Sequence, residues 1–365
     1  MGGSPYRKPN ISNKRLIILF IILLIIKLLS LNSSWIENHY SIGLFSSIAV
    51  ALRTITGWLP VSLGDLLYLG AFVWLFKRLI NAIIVIRKKK ATKNWWLEGL
   101  KKTLVIGASI YIIFNLFWGL NYNRKGIAYQ LGLKVTHYTV ADLKLLDSLL
   151  VEKVNYNNRL LATSQNRHPK SKELYERAVN CYSETSQQYP FLVYKKPSIK
   201  SSMFSKLESY LGFTGYYNPF TGEAQVNNVA PSFTRPYTAT HEMAHQLGYA
   251  REDEANFVGY LAASSSTDTL FHYSTYFDLF TYANHEVYLY DSSYAKAEYK
   301  SLDTAVKVDL KEIRDFWRHH ENPVEPVISW MYGKYLMANQ QPKGVYTYNE
   351  VIANLIAFYK KYGRI

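Results

Sequence analysis

His241 and His245 stand four residues apart, with Glu242 beside the first, in the run His241-Glu242-Met243-Ala244-His245. On a helix this spacing puts both imidazoles on one face, where they can share one metal ion. Glu242 then points toward the ion's open position, where a water needs a base. Seven residues beyond His245 an acidic run begins, Glu252-Asp253-Glu254, which offers a carboxylate to the same ion. Two imidazoles, a carboxylate and a place for water make a zinc site, and its chemistry is metal-assisted hydrolysis.

The neighbouring residues must place these groups. Pro236 fits the first turn of a helix, Ala244 and Leu247 give it an apolar side, and Gly248 supplies a stop. The stretch 252–263 reads as a second helix, with Ala255, Phe257, Val258 and Leu261 on its apolar side. So short a connection demands a sharp reversal, which Gly248 can adopt.

His241-Glu242-Met243-Ala244-His245 followed by Glu252-Asp253-Glu254-Ala255-Asn256 resembles the gluzincin zinc metallopeptidases. In that family a glutamate on the next helix is the third ligand, so the resemblance implies this role for Glu252. Membrane-bound gluzincins often show Glu-x-x-Ala-Asp there, matched by Glu252, Ala255 and Asn256. Asn256 stands where the family has Asp, and the resemblance implies a hydrogen bond from it to a ligand. Helix geometry agrees: Glu252 and Asn256 share a face, Glu254 lies about 200° round from Glu252, and Asp253 projects about 100° away. The metzincins require a histidine where this chain has Arg251, a cation that cannot bind zinc. The chain as a whole also resembles a bacterial family of uncharacterised membrane proteins with several spans ahead of such a motif.

Charge decides where the chemistry happens. The 365 residues carry a net charge of +15. Residues 1–130 hold 17 Lys+Arg against 3 Asp+Glu, whereas 131–365 hold 25 against 24. The basicity therefore belongs with the apolar N-terminal third and signals membrane topology rather than nucleic-acid binding. Three spans are expected, at about 16–31, 61–86 and 103–120. The middle one passes Lys77 and Arg78, which must snorkel or pack against another helix. No small-residue cleavage pattern follows the first, so it does not read as a signal peptide. Cations cluster before the first span and between the second and third, with only Arg53 between the first two. By the positive-inside rule, the N-terminus is cytoplasmic and the chain after 120 lies outside the cytoplasm, with a bacterial cell membrane as the expected location. Residues 35–58 are expected along the outer membrane surface, with Trp35 and Trp58 near the interface.

The expected organisation is thus a membrane domain, 1–120, and an extracytoplasmic zincin-like catalytic domain, 121–365. The fold class is N-terminal transmembrane helices followed by an α+β, mainly α-helical domain with a small sheet. Helical spacing covers 142–161, with Leu143, Leu146, Leu150 and Val154 as its stripe, then 172–188, 273–290, 294–320 and 349–362. The β-like patch is 213–217, a turn, and 223–229, where Ala224 and Val226 alternate with polar residues. Residues 223–228 either pair with an extended substrate or form a structural hairpin. Cys181 is alone, so no intrachain disulfide forms.

A zinc hydrolase also needs a donor for the developing oxyanion. Tyr332 and Tyr335 are the candidates, with His285, His319 and His320 behind them, and Glu286 or Glu321 as groups that orient such a histidine. The expected function is a membrane-anchored zinc metallopeptidase. One Zn²⁺ is held by His241, His245 and Glu252, Glu242 acts as general base, and the partners are a peptide or protein substrate and the lipid bilayer. The alternative is a zinc-binding scaffold without catalysis. An intramembrane protease is excluded, because Arg235, Thr238, Thr240 and Arg251 make the motif helix too polar for lipid.

Overall fold

Two 25-residue helices, Leu63–Arg87 and Lys93–Phe117, are long and apolar enough to cross a membrane. In this computed structural model, which describes residues 13–163, 167–344, 346 and 350–365, each starts from a side-chain cap. Ser62 accepts from the Asp65 amide and Thr92 from the Trp95 amide, which fixes where each helix begins. The first of them runs unbroken past Lys77 and Arg78, and the Arg78 guanidinium lies 5.4 Å from the Trp74 ring centre. Lys93–Phe117 starts ten residues before the expected 103 because Thr92 caps a polar first turn ahead of the apolar run.

Asn13–Ser30 is a further apolar helix. It meets Ser33–Thr56 at a 90° bend, so among the described residues two helices are long and apolar enough to cross a membrane, or three where this bent pair counts as one span. The second limb runs as a π-helical stretch, Ile36–Leu44, and then Phe45–Thr56. One face of it is buried on Ile36, Tyr40, Phe45, Ala49 and Arg53, while Trp58 is exposed. The segment expected along the membrane surface therefore also packs firmly against protein. Arg53 reaches into the motif helix, donating to the Gln246 carbonyl at 2.6 Å.

The sheet has three strands in the order β1 (Ile199–Ser201), β3 (Glu223–Val226), β2 (Gly215–Asn218). β3 runs parallel to β1 and antiparallel to β2. β3 is central, with both edges occupied, so of the two readings of 223–228 the structural hairpin holds and the substrate strand does not; the edge strands are β1 and β2. Nor does β3 have a solvated face, since Glu223, Ala224, Gln225 and Val226 are all buried. Its polar side chains are satisfied internally: Glu223 accepts from Lys200 Nζ at 2.6 Å and from the Leu63 and Gly64 amides at 3.1 and 2.6 Å. A strand carboxylate thus sits on the N-terminus of a membrane-crossing helix, where backbone amides and the helix dipole favour it.

The rest is helical. Val140–Ala162 begins at a capping box between Thr139 and Asp142 and buries Leu143, Leu146, Leu150 and Val154 against Thr269–Tyr290. Each such leucine or valine contributes about 2 kcal/mol on burial, so this stripe is a main support of the helix pair. The expected helix at 294–320 is two helices, Ser292–Ser301 and Thr304–His320, divided at Leu302 and Asp303. Buried Leu302 anchors the break, and the Asp303 amide donates to Asn155 Oδ1 at 2.8 Å.

Candidate metal centre

The motif helix is Arg235–Gln246, with Pro236 in its first turn and every residue from Pro236 onward buried. Gly248 has φ +86° and turns the chain back toward the next helix, Glu252–Ser264. That helix approaches closely at Gly259, where a Cβ would lie 3.1 Å from the His241 backbone nitrogen.

The reversal brings three ligand-bearing side chains together. Ligand atoms of His241, His245 and Glu252 all lie within 4.8 Å of one another and are buried. Glu252 Oε2 is 3.2 Å from His241 Nε2 and 3.5 Å from His245 Nε2, and makes no hydrogen bond. The other ring nitrogens are held from behind. His241 Nδ1 meets Asn256 Oδ1 at 2.7 Å, and His245 Nδ1 meets the Tyr249 carbonyl at 2.7 Å. Both acceptors select the tautomer that turns a bare Nε2 inward. Two inward Nε2 atoms beside a buried carboxylate oxygen fit a bound cation.

Electrostatics point the same way. Burial raises Glu252, yet the two imidazoles beside it hold its carboxyl well below the usual range. Burial lowers His245, but Glu252 and Glu242 outweigh it and push the ring up to about 9. His241 is lowered, chiefly by burial. Positive charge is therefore stabilised on His245 by Glu252 and Glu242, while burial disfavours it on His241.

Glu242 shares the site. Burial pushes its carboxyl up to about 8, opposed by His245 and reinforced by Glu252 and Glu208. Its Oε2 is buried and makes no hydrogen bond. Gly215 on β2 makes room: a Cβ there would lie 2.9 Å from Glu242 Oε1 and 2.7 Å from the Gln225 carbonyl. Glu242 and the three candidate ligands open onto a cavity of about 520 Å³, whose walls include Trp118, Phe213, Tyr216, Tyr217, Tyr332 and Tyr335. A second cavity of about 270 Å³ shares His241 and Glu242 and is lined further on by Asp278, Tyr282 and Trp317.

Both candidate tyrosines line the larger cavity. Tyr332 donates to Glu252 Oε1 at 2.7 Å, so its hydroxyl serves a candidate ligand. The Tyr335 hydroxyl lies 3.1 Å from that of Tyr122, and its ring stacks on Tyr332. Of the candidate histidines, His285 and His319 are exposed, and His320 bonds the Phe316 carbonyl and packs on Tyr210. None of these histidines, nor Glu286 or Glu321, lines the cavity; Glu286 accepts from Tyr138 instead. Asp253 pairs with Arg251, and Glu254 lies against Gly126, away from the three ligands.

Sequence reasoning missed the supports drawn from distant segments. Trp118 donates through Nε1 to the His245 carbonyl at 3.2 Å and packs edge-on against the His245 ring. Gln341 Oε1 accepts from the Glu252 amide at 3.0 Å. Arg124 donates to the Gly248 carbonyl at 3.1 Å while its guanidinium pairs with buried Glu37 at 2.8 Å. No local spacing connects these residues to the motif.

A family model described as "Protein of unknown function (DUF3810)" matches residues 40–356. The chain belongs to that family. The match spans both long apolar helices, the sheet and the candidate metal-binding group. No curated protein and no solved structure matches the chain.

Proposed function

We propose that this family member is a membrane-anchored zinc peptidase of gluzincin type, hydrolysing peptide bonds outside the cytoplasm. One observation carries the reading: an unsatisfied, buried Glu252 Oε2 lies 3.2 and 3.5 Å from two Nε2 atoms, with Glu242 beside them. His241, His245 and Glu252 would hold the ion, which when bound would supply the Lewis acidity that lowers a water's pKa toward neutrality. Glu242 takes the attacking water's proton and returns one to the leaving amine. The open edge of β2 borders the cavity through Gly215, Tyr216 and Tyr217, and can pair with an extended peptide. Tyr335 is the donor toward the developing oxyanion. The cation pattern of the N-terminal third supports a site on the far side of the membrane from the Lys/Arg-rich stretch 77–102.

The test is zinc content and proteolysis of the full chain in detergent, on unfolded protein and on cell-wall peptide. Wild type should hold one zinc per chain and hydrolyse a substrate. Glu242→Gln should keep the zinc and lose hydrolysis, and His245→Ala should lose both. Full activity in Glu242→Gln overturns the assignment; zinc without hydrolysis of any substrate leaves a zinc-binding scaffold.

A further inference from the structure

Resting on the hydrolytic reading of the metal centre, we propose that the substrate is a membrane-anchored polypeptide that enters the cavity sideways from the bilayer, past a lipid-embedded helix Glu325–Ala338. The cavity belongs partly to the membrane-crossing helices. Tyr68, in the second turn of Leu63–Arg87, and Phe114, in the last turn of Lys93–Phe117, both line it. These positions mark the same ends of the two helices, where an anchored chain leaves the lipid. Tyr216 of β2 packs on Tyr68 at 5.9 Å, so the peptide-binding edge sits directly over that end.

Helix Glu325–Ala338 closes the opposite wall. Its inner side brings Tyr332 to Glu252 and Tyr335 to Phe114, the two rings of the latter pair being 6.4 Å apart. Its outer side is apolar and uncovered. Val327 is 55% exposed, Trp330 64%, Met331 56% and Met337 49%. These residues repeat at three- and four-residue steps, so they form one face. Lys334 lies on the same face with its ammonium 5.8 Å from the Trp330 ring centre, an arrangement suited to the membrane interface. The face continues the surface of the membrane-crossing helices through the Tyr335–Phe114 contact, so the same bilayer covers both. Across the cavity mouth, Met203 and Leu207 are half-exposed and apolar as well. A cavity with such a rim admits a chain whose scissile bond lies a few residues from its anchor.

The experiment uses full-length protein in phosphatidylcholine–phosphatidylglycerol vesicles. Spin labels at Val327→Cys and Met331→Cys, with Cys181→Ser, should be more accessible to oxygen than to a nickel chelate. A label at Glu176→Cys, on a distant exposed surface, should show the reverse. Nickel-dominated accessibility at 327 and 331, or dipolar coupling showing a second copy on that face, overturns the proposal without reference to activity. A photo-reactive peptide is then compared with the same peptide carrying an apolar anchor. The anchored form should crosslink to the cavity at least 10-fold more, and Trp330→Glu with Met331→Glu should remove that advantage while leaving crosslinking of the free peptide unchanged. Equal crosslinking of the two peptides overturns the proposal. Preferential crosslinking without cleavage upholds entry from the bilayer and overturns only the hydrolytic reading.

Discussion

The Tyr332 hydroxyl donates to Glu252 Oε1 at 2.7 Å, which leaves Oε2 to face His241 and His245. One carboxylate oxygen is thus committed to the helix Glu325–Ala338 and the other to the candidate metal position. A tyrosine 80 residues downstream orients a ligand on the helix after the motif.

This division of labour separates two tyrosines that the sequence cannot rank. Tyr332→Phe should weaken zinc binding by about 10- to 100-fold, the usual loss when a ligand's supporting hydrogen bond is removed. Tyr335→Phe should leave zinc affinity within about 2-fold and lower kcat by about 100-fold, as expected for a lost oxyanion donor. Competition titration against a chelator reads the first effect, and steady-state kinetics of the zinc-loaded protein reads the second. A swap of the two outcomes reverses the assigned roles.

Asn256 occupies the place where membrane-bound gluzincins, which the motif resembles, often carry aspartate, and its Oδ1 accepts from His241 Nδ1 at 2.7 Å. An amide oxygen fixes the ring's orientation but adds no charge behind it. Asn256→Asp should therefore make His241 a more basic ligand and tighten zinc binding several-fold, while Asn256→Ala should weaken it by about 10-fold. Chelator competition at fixed pH measures both. Weaker binding in Asn256→Asp than in Asn256→Ala would show that the charge is not tolerated there.

The grouping of His241, His245 and Glu252 was legible because helical spacing and one glycine reversal determine their relative placement. The apolar runs were legible for the same reason: a local composition suffices. What escaped was long-range. Alternation marked 223–226 as a strand but could not say that Lys200 and two amides near Leu63 bury its polar side. Trp118 and Gln341 support the site from 127 and 89 residues away, a relation that no periodicity encodes. Local alternation therefore left 223–228 open between a substrate strand and a structural hairpin, and only the long-range pairing with β1 makes it the centre of the sheet.

Asp147 gives a pH test away from the site. It is fully buried, burial pushes its carboxyl up to about 7, and Asn284 donates to Oδ2 at 3.0 Å. The folded state holds this proton more tightly than the unfolded chain, whose carboxyl titrates near 4. Its contribution to stability is present below pH 4 and lost as pH rises to about 7, amounting to about 4 kcal/mol at most. Asp147→Asn should remove that slope. Thermal unfolding in detergent at pH 4 to 8, compared between wild type and variant, measures it; parallel profiles would refute it.

The buried pair Lys200–Glu223 couples the sheet to the membrane-crossing helix. Lys200 Nζ also donates to the Thr56 carbonyl at 2.7 Å, so one ammonium ties the strand β1 to the limb Ser33–Thr56 as well. Glu223→Gln keeps the shape but leaves an uncompensated buried charge, a loss of about 3–5 kcal/mol. Glu223→Gln with Lys200→Met removes both charges and should recover most of that stability. The effect should reach the site, because β3 positions β2, and Gly215 of β2 packs against Glu242. Glu223→Gln should therefore lose more kcat than zinc affinity, with the double variant intermediate. Melting temperatures of the single and double variants, together with zinc titration and kinetics, close the cycle. Equal melting temperatures for wild type and Glu223→Gln would mean that the pair does not hold the sheet to the helix.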